Sequence, residues 1–353
     1  MENGKERADG REVETLSSFS FNTGLSSMPR IRLYMAPLKG FTDHIFRNAF
    51  TDHFGGFDLA VAPFIASNQN LRIKRKYVKD VLPENNPRLP VVPQILSKTA
   101  ADFIVLANYL YDLGYAAVNW NLGCPFPMVA NKERGCGMLP HTDRIRSFLD
   151  RVVPAIRSSL SIKARLGWKE TADIFRLLPV MDPYPLSEII IHPRTGLQRY
   201  EGPVDLDAFE DSLAMTRHPV VYNGDIRTLE DFRRLSRRFK GVHAWMIGRW
   251  CLADPFLPGR ITTGADDIPD KIFRLQGFHT ALFEAYSRLL DGPAHVLNKM
   301  KGFWQYFSLS FEDCNKTMKE VRKTHRPDQY LDRVNLFFET EAQWRRSRAS
   351  FLA

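Results

Sequence analysis

From Ile31 onward, short apolar runs alternate with longer stretches whose apolar residues return every three or four positions. The first pattern suits buried strands, and the second suits helices with one face against a core. Eight runs qualify as strands: Ile31 to Ala36, Leu59 to Ala62, Leu89 to Ile95, Ala116 to Asn121, Ser161 to Leu166, Glu188 to His192, Pro219 to Asn223 and Ala244 to Ile247. Between them, Thr42 to Phe54, Thr99 to Leu113, Thr142 to Ser158 and Thr228 to Phe239 have helical spacing, each opening on a threonine able to cap the first turn. Eight strands alternating with helices over about 230 residues predict an α/β fold, a TIM (β/α)8 barrel. The rival, an open doubly wound sheet, would normally carry a Gly-x-Gly-x-x-Gly turn after its first strand, and the chain has none.

After Pro258 the strand-like runs stop, and Lys271 to Leu290, Ala294 to Leu309, Asn315 to Thr324 and Asp328 to Arg346 read as helices. Residues 1–30 are polar, Ser-rich and aperiodic. The expected organisation is a disordered leader over 1–30, a barrel over 31–260 and a small C-terminal helical domain over 261–353.

Composition narrows the class. With 44% hydrophobic and 25% charged residues, the chain is neither disordered nor fibrous. Its four cysteines, Cys124, Cys136, Cys251 and Cys314, show no Cys-x-x-Cys or Cys/His spacing, so neither a disulfide framework nor a metal site is expected, and a reduced cytoplasmic setting fits. No apolar run reaches membrane-span length, and a monomer is the default expectation. The net charge of +9 suits a polyanionic partner. Most of that excess lies in residues 31–260, which carry 31 basic against 23 acidic side chains.

Chemistry in a TIM barrel gathers at the C-terminal ends of its strands. The chain places Pro37, Leu38 and Lys39 after the first run, Gln94 in the third, and Asn121 to Pro125 after the fourth. Lys163 and Arg165 lie in the fifth, His192 to Arg194 close the sixth, and Asn223 to Asp225 and Gly248 with Arg249 follow the last two. Glycines in those last loops let backbone amides approach a phosphate, and Arg249 can bind it through two hydrogen bonds. Lys163 is placed to hold electron density near N1 and the C2 carbonyl of a flavin, and Gln94 to bond its pyrimidine edge. Lys163 would serve equally as a core ion pair, and Asn-Gly-Asp alone is a common turn.

In series these segments resemble the tRNA-dihydrouridine synthase family. The resemblance is carried by Met35 to Asp43 with Phe46 and Arg47, by Asn121 to Pro125 with Val129, Gly135 and Leu139, and by Lys163 to Gly167. It continues through His192 to Thr195 with Tyr200 and Gly202, Asn223 to Asp225, and Met246 to Arg249. The resemblance implies an FMN enzyme that takes hydride from NADPH and reduces uridine in tRNA to 5,6-dihydrouridine. It implies FMN contacts from Pro37, Leu38, Gln94, Lys163, His192, Asn223, Asp225, Gly248 and Arg249. Asn121 would orient the uracil or the flavin edge, and Arg165 with Arg194 would help hold RNA.

The chemistry agrees with that implication. Hydride delivered from flavin N5 to uracil C6 builds negative charge at C5 and O4, and a proton must then reach C5 from the opposite side. Cys124, on a tight Gly-Cys-Pro turn, is the expected donor, because a thiol stays mostly protonated at neutral pH where a carboxylic acid would be ionised. An inert buried thiol is the commoner fate of a free cysteine, and Cys136, Cys251 and Cys314 keep that reading. NADPH and uridine would use one flavin face in turn, so no second nucleotide domain is required.

A base inside folded RNA must leave its stack to be reduced. Arg72, Lys74, Arg75, Lys76 and Lys79, after the second run, are the barrel's candidates for phosphate contacts, whereas Arg233, Arg234, Arg237, Arg238 and Lys240 read as a solvated helix face. In the tail, expected to be a helical tRNA-binding domain, Lys316, Lys319, Arg322, Lys323 and Arg326 recur at helical spacing suited to gripping an RNA backbone. The family often has polar residues where this chain reads Phe126, Pro127 and Met128. Two other readings stay open: an FMN barrel oxidoreductase acting on a free pyrimidine such as dihydroorotate or uracil, and an RNA-binding module without reductase chemistry.

Overall fold

The computed structural model describes residues 30–67, 73–265 and 267–345, so the leader expected over residues 1–30 lies outside the described residues except for Arg30. Eight parallel strands follow one another around a barrel, with a further short piece, Ile65–Ala66, pairing beside Ile95 and Leu96. β1 (Arg32–Met35) pairs with β2 (Leu59–Val61) on one side, Tyr34 opposite Leu59. β3 comes in two pieces, Val91–Val92 and Gln94–Leu96, because Pro93 between them has no N–H to give to a ladder. The first piece pairs with β2 and the second with β4 (Ala117–Leu122), which carries the ring past the proline.

β5 (Ser159–Gly167), β6 (Leu186–Thr195), β7 (Val220–Tyr222) and β8 (Ala244–Ile247) complete the order, and β8 closes on β1 with Met35 opposite Ile247. Inward-facing Tyr34, Val61, Ile190, Val221 and Met246 fill the barrel floor as one buried cluster. Near the floor, Tyr34 donates to Glu188 Oε2 at 2.9 Å.

Outward-facing strand residues pack under α1 (His44–His53), α2 (Ala100–Asp112), α3 (Thr142–Val152), α4 (Ala172–Met181), α5 (Leu206–Ala214) and α6 (Leu229–Arg238). Thr228 and Asp231 form a capping box on α6. α3 stops six residues before the predicted Ser158: Val153 keeps helical geometry, but Pro154 after it has no N–H to continue the helical hydrogen bonds.

The C-terminal helices are α7 (Lys271–Leu289), α8 (Pro293–Phe307), α9 (Asn315–Lys323) and α10 (Pro327–Leu336). α10 ends ten residues before the predicted Arg346. The chain continues from it as a π-helical turn, Phe337–Glu341, in which Phe337 and Phe338 pack on Trp304 and Phe311, and Trp344 then bridges back to Phe311. These helices lie directly on the barrel: Phe46 of α1 stacks on Phe303 at 5.5 Å and meets Phe278 edge-on at 5.6 Å. The described residues from Ile31 to Arg345 form one compact unit.

Candidate active site

At the C-terminal end of the barrel, a cleft of about 470 Å³, counting its open mouth, is lined by Ala36, Pro37, Leu38, Lys163, His192, Tyr200, Asn223, Gly224, Asp225, Gly248, Arg249 and Trp250. Eight of the nine residues implied as FMN contacts stand on this wall. Gln94 is the exception. It is fully buried, donates from Nε2 to Asn119 Oδ1 at 2.7 Å and accepts from Asn121 Nδ2 at 2.7 Å. Asn119 passes the chain on to Ser161 Oγ at 2.8 Å, so a polar ladder crosses β3, β4 and β5 below the cleft. Asn119 escaped sequence reasoning, although it lies two residues from Asn121 on the same strand face, an alternation that could have revealed it.

The cleft is rich in cations and short of anions. Lys163 has no hydrogen-bond or ion-pair partner among the described residues, and burial, with the charge of Arg165 behind it, lowers its ammonium to about 7. Asp225 is the one carboxylate on the wall. Burial opposes its charge, but the hydrogen bond and charge of Arg194, with those of Arg227, hold it below the usual carboxylate range. Arg194 reaches Asp225 Oδ2 at 2.6 Å, Arg227 at 2.9 Å, and Arg249 approaches Oδ1 at 3.7 Å. Asp225 thus gathers three guanidiniums, and the Arg227 Nε beside it is buried without a partner.

His192 is neutral, held well below its ordinary range by burial and then by Arg165, Lys163, Arg194 and Arg249. Its Nε2 lies 3.1 Å from Arg194 Nη1. A guanidinium can only donate, so Nε2 accepts and Nδ1 carries the proton.

Cys124 lies two residues past the end of β4 and is buried beside Leu96, Val129 and Phe64. Asn121 Oδ1 accepts from the backbone N–H groups of Gly123 at 3.1 Å and Cys124 at 2.9 Å, so Asn121 spends its side chain on shaping this turn and on Gln94. The Cys124 carbonyl accepts from Cys136 N at 3.2 Å and from Cys136 Sγ at 3.1 Å. Gly135 closes the turn at φ +56°, where a Cβ would sit 2.7 Å from that carbonyl oxygen, so glycine is required. Burial raises the Cys124 thiol above its ordinary range, against the Phe126 N–H, Arg165, Lys39 and Lys163, which pull the other way.

Arg165 and Arg194, expected to face RNA, are 1% exposed. Arg165 donates to Gly123 O at 3.0 Å, Thr195 O at 2.8 Å and Arg199 O at 2.6 Å, bracing the loops after β4 and β6. Arg194 adds Gly202 O at 2.7 Å to its bonds with Asp225.

The sequence that builds this cleft matches a family. The model for dihydrouridine synthase (Dus) fits residues 34–339. The chain belongs to the dihydrouridine synthase family. A probable tRNA-dihydrouridine synthase of Rhizobium leguminosarum bv. phaseoli is 30% identical over 272 residues, covering 74% of this chain and 80% of the relative. A tRNA-dihydrouridine(16) synthase of Cupriavidus necator is 28% identical over 249 residues, covering 67% and 76%. Among solved structures, an old yellow enzyme homologue from Zymomonas mobilis superposes with a TM-score of 0.50 at 11% identity, covering 69% of this chain and 94% of that one, a likeness of fold alone. The chain is therefore an enzyme of the dihydrouridine synthase family.

Other sequence candidates divide. Arg72 lies outside the described residues. Arg75 pairs with Glu84, and the α6 run is largely ion-paired, Arg234 to Asp231 at 2.9 Å, Arg237 to Glu230 at 3.0 Å and Arg238 to Asp207 and Glu210. Trp304 and Phe307 are core residues. No helix among the described residues is long and apolar enough to cross a membrane, and no group of three metal-ligating side chains occurs among them.

Proposed function

We propose that this dihydrouridine synthase binds FMN in the cleft and, with NADPH as reductant, converts uridine in tRNA to 5,6-dihydrouridine. The observation that carries the reading is Cys124, a buried thiol held protonated on a rigid turn within the electrostatic reach of Lys163. The cleft's donor set fits the cofactor. An unpartnered ammonium at Lys163 suits electron-rich ring atoms, and Arg249 with the amides of Gly224 and Gly248 suits a phosphate. When bound and reduced, the flavin supplies the hydride that uracil C6 requires.

The chain's own residues do the rest. Cys124 Sγ–H gives its proton to C5, and the thiolate left behind is stabilised by the Phe126 N–H and the charges of Arg165, Lys39 and Lys163 until solvent reprotonates it. The neutral His192 offers Nδ1–H to an acceptor in the cleft. Asn121, Arg165 and Arg194 act as positioning residues, the first two for the Cys124 turn and the third for Asp225. The Cys124→Ala variant tests the reading. It should keep yellow FMN and NADPH oxidation while losing nearly all dihydrouridine formation in tRNA lacking the modification. Full turnover by that variant would remove Cys124 from the mechanism, and flavin reoxidation by uracil or orotate but not by tRNA would replace the substrate.

A further inference from the structure

Ten large apolar side chains are exposed among the described residues, and four of them stand on two loops at the catalytic end of the barrel. Phe126 (51%) and Met128 (75%) follow Cys124, and Leu197 (58%) and Tyr200 (39%) follow β6. The two loops are braced together. Arg165 binds carbonyls of both, at Gly123 on one and at Thr195 and Arg199 on the other. Gly196 also lies so close to Cys136 that a Cβ there would sit 2.6 Å from its sulfur.

The apolar side chains are therefore presented outward by loops that cannot fold over to bury them. Their surroundings are cationic. Lys132 and Arg199 on the same loops, and Lys169 after β5, have no side-chain partner among the described residues. The nearby Glu133 is occupied by Arg144 at 2.6 Å and Lys98 at 3.8 Å.

We propose that Phe126, Met128, Leu197 and Tyr200 form a stacking rim for nucleobases next to the target nucleotide, so that RNA binds here as an opened, single-stranded segment. The inference rests on the reading of RNA as the substrate. A base removed from its stack exposes apolar faces on itself and on its former neighbours, and side chains with apolar or aromatic faces replace the lost stacking. Unpaired cations around the rim complement the phosphates that come with those bases. A protein partner would account for the apolar faces but not for the cations or for their place around the Cys124 turn.

The test uses the FMN-loaded full chain and an oligouridine of about 12 nucleotides carrying one internal 2-aminopurine, alone or annealed to its complement. Stacking on the rim quenches 2-aminopurine in the single strand, which binds more tightly than the duplex. The Phe126→Ala/Met128→Ala variant should lose about tenfold in single-strand affinity, together with the quench. Its salt dependence should not change, because no phosphate contact is removed. Phe126→Trp should restore binding.

Wild-type affinity in the double variant, or equal losses for single strand and duplex, overturns the rim and leaves a protein-docking surface in its place. Retained FMN absorbance in the variants shows that the fold is intact. Wild-type protein that makes no dihydrouridine in tRNA yet quenches the single strand overturns the proposed reaction and leaves the rim standing.

Discussion

Lys299 donates to Asp43 Oδ2 at 2.6 Å, across the seam between α8 and the loop that follows β1. The same ammonium reaches Gly40 O at 2.8 Å, and Tyr286 of α7 donates to Asp43 Oδ1 at 2.7 Å. Asp43 also caps α1 by accepting from Phe46 N at 3.1 Å. One carboxylate therefore ties two C-terminal helices and the first barrel helix to the loop that carries Pro37 and Leu38 into the cleft. The helical tail is part of the frame of the site.

Lys299→Met should loosen that loop. Both partners are partly exposed, so the cost to stability falls somewhat below that of a fully buried pair, at about 2 kcal/mol. FMN affinity should fall with it, and Lys299→Arg should recover most of both losses. Urea unfolding and FMN fluorescence titration measure the two effects. Unchanged FMN affinity in Lys299→Met would separate the seam from the site.

Arg165→Lys should cripple dihydrouridine formation while leaving the salt dependence of RNA binding as it was. A single ammonium cannot span the three carbonyls that the guanidinium fork holds, so the Cys124 turn loses its brace. A reduced salt slope in this variant would mean that the side chain does reach phosphate.

Asp225→Asn should destabilise the protein by about 3 kcal/mol and release FMN. Arg194 is 1% exposed, and losing its counter-charge leaves a buried cation paired only with carbonyl and imidazole acceptors. Thermal melting with and without FMN checks both losses. A variant that melts with the wild type would show that the Gly202 carbonyl is partner enough.

The strands were legible because a parallel barrel buries both faces of each strand, which leaves continuous apolar runs such as Ile189 to Ile191. Helix ends were less so. Val153-Pro154 announces its break locally, whereas α10 widens into a π-helical turn where Phe337 and Phe338 find Trp304 and Phe311, neighbours no local pattern reveals. The cleft residues could be named because side chains at strand ends share one rim. Gln94, Arg165 and Arg194 were harder, since their roles depend on partners supplied by other strands and loops. A buried arginine and an RNA-facing one look the same in sequence. Tyr200 was visible as a matched residue without a role, and only the structure puts its ring 4.3 Å from the Arg249 guanidinium.

FMN binding at pH 8 should take up a proton through Lys163. In the flavin-free protein its ammonium is lowered to about 7 by burial first and then by Arg165, so most of it is neutral at that pH. A ligand that sets electron-rich oxygen and nitrogen atoms against the amine favours the charged form and raises the pKa. Between the two values the complex holds more protons than the free protein, and uptake approaches one. The uptake fades below pH 7, where the lysine is already charged. Calorimetric titrations in buffers of different ionisation enthalpy measure it directly, and Lys163→Met should abolish it. A binding heat independent of buffer at pH 8 would place the lysine's charge outside the flavin contact.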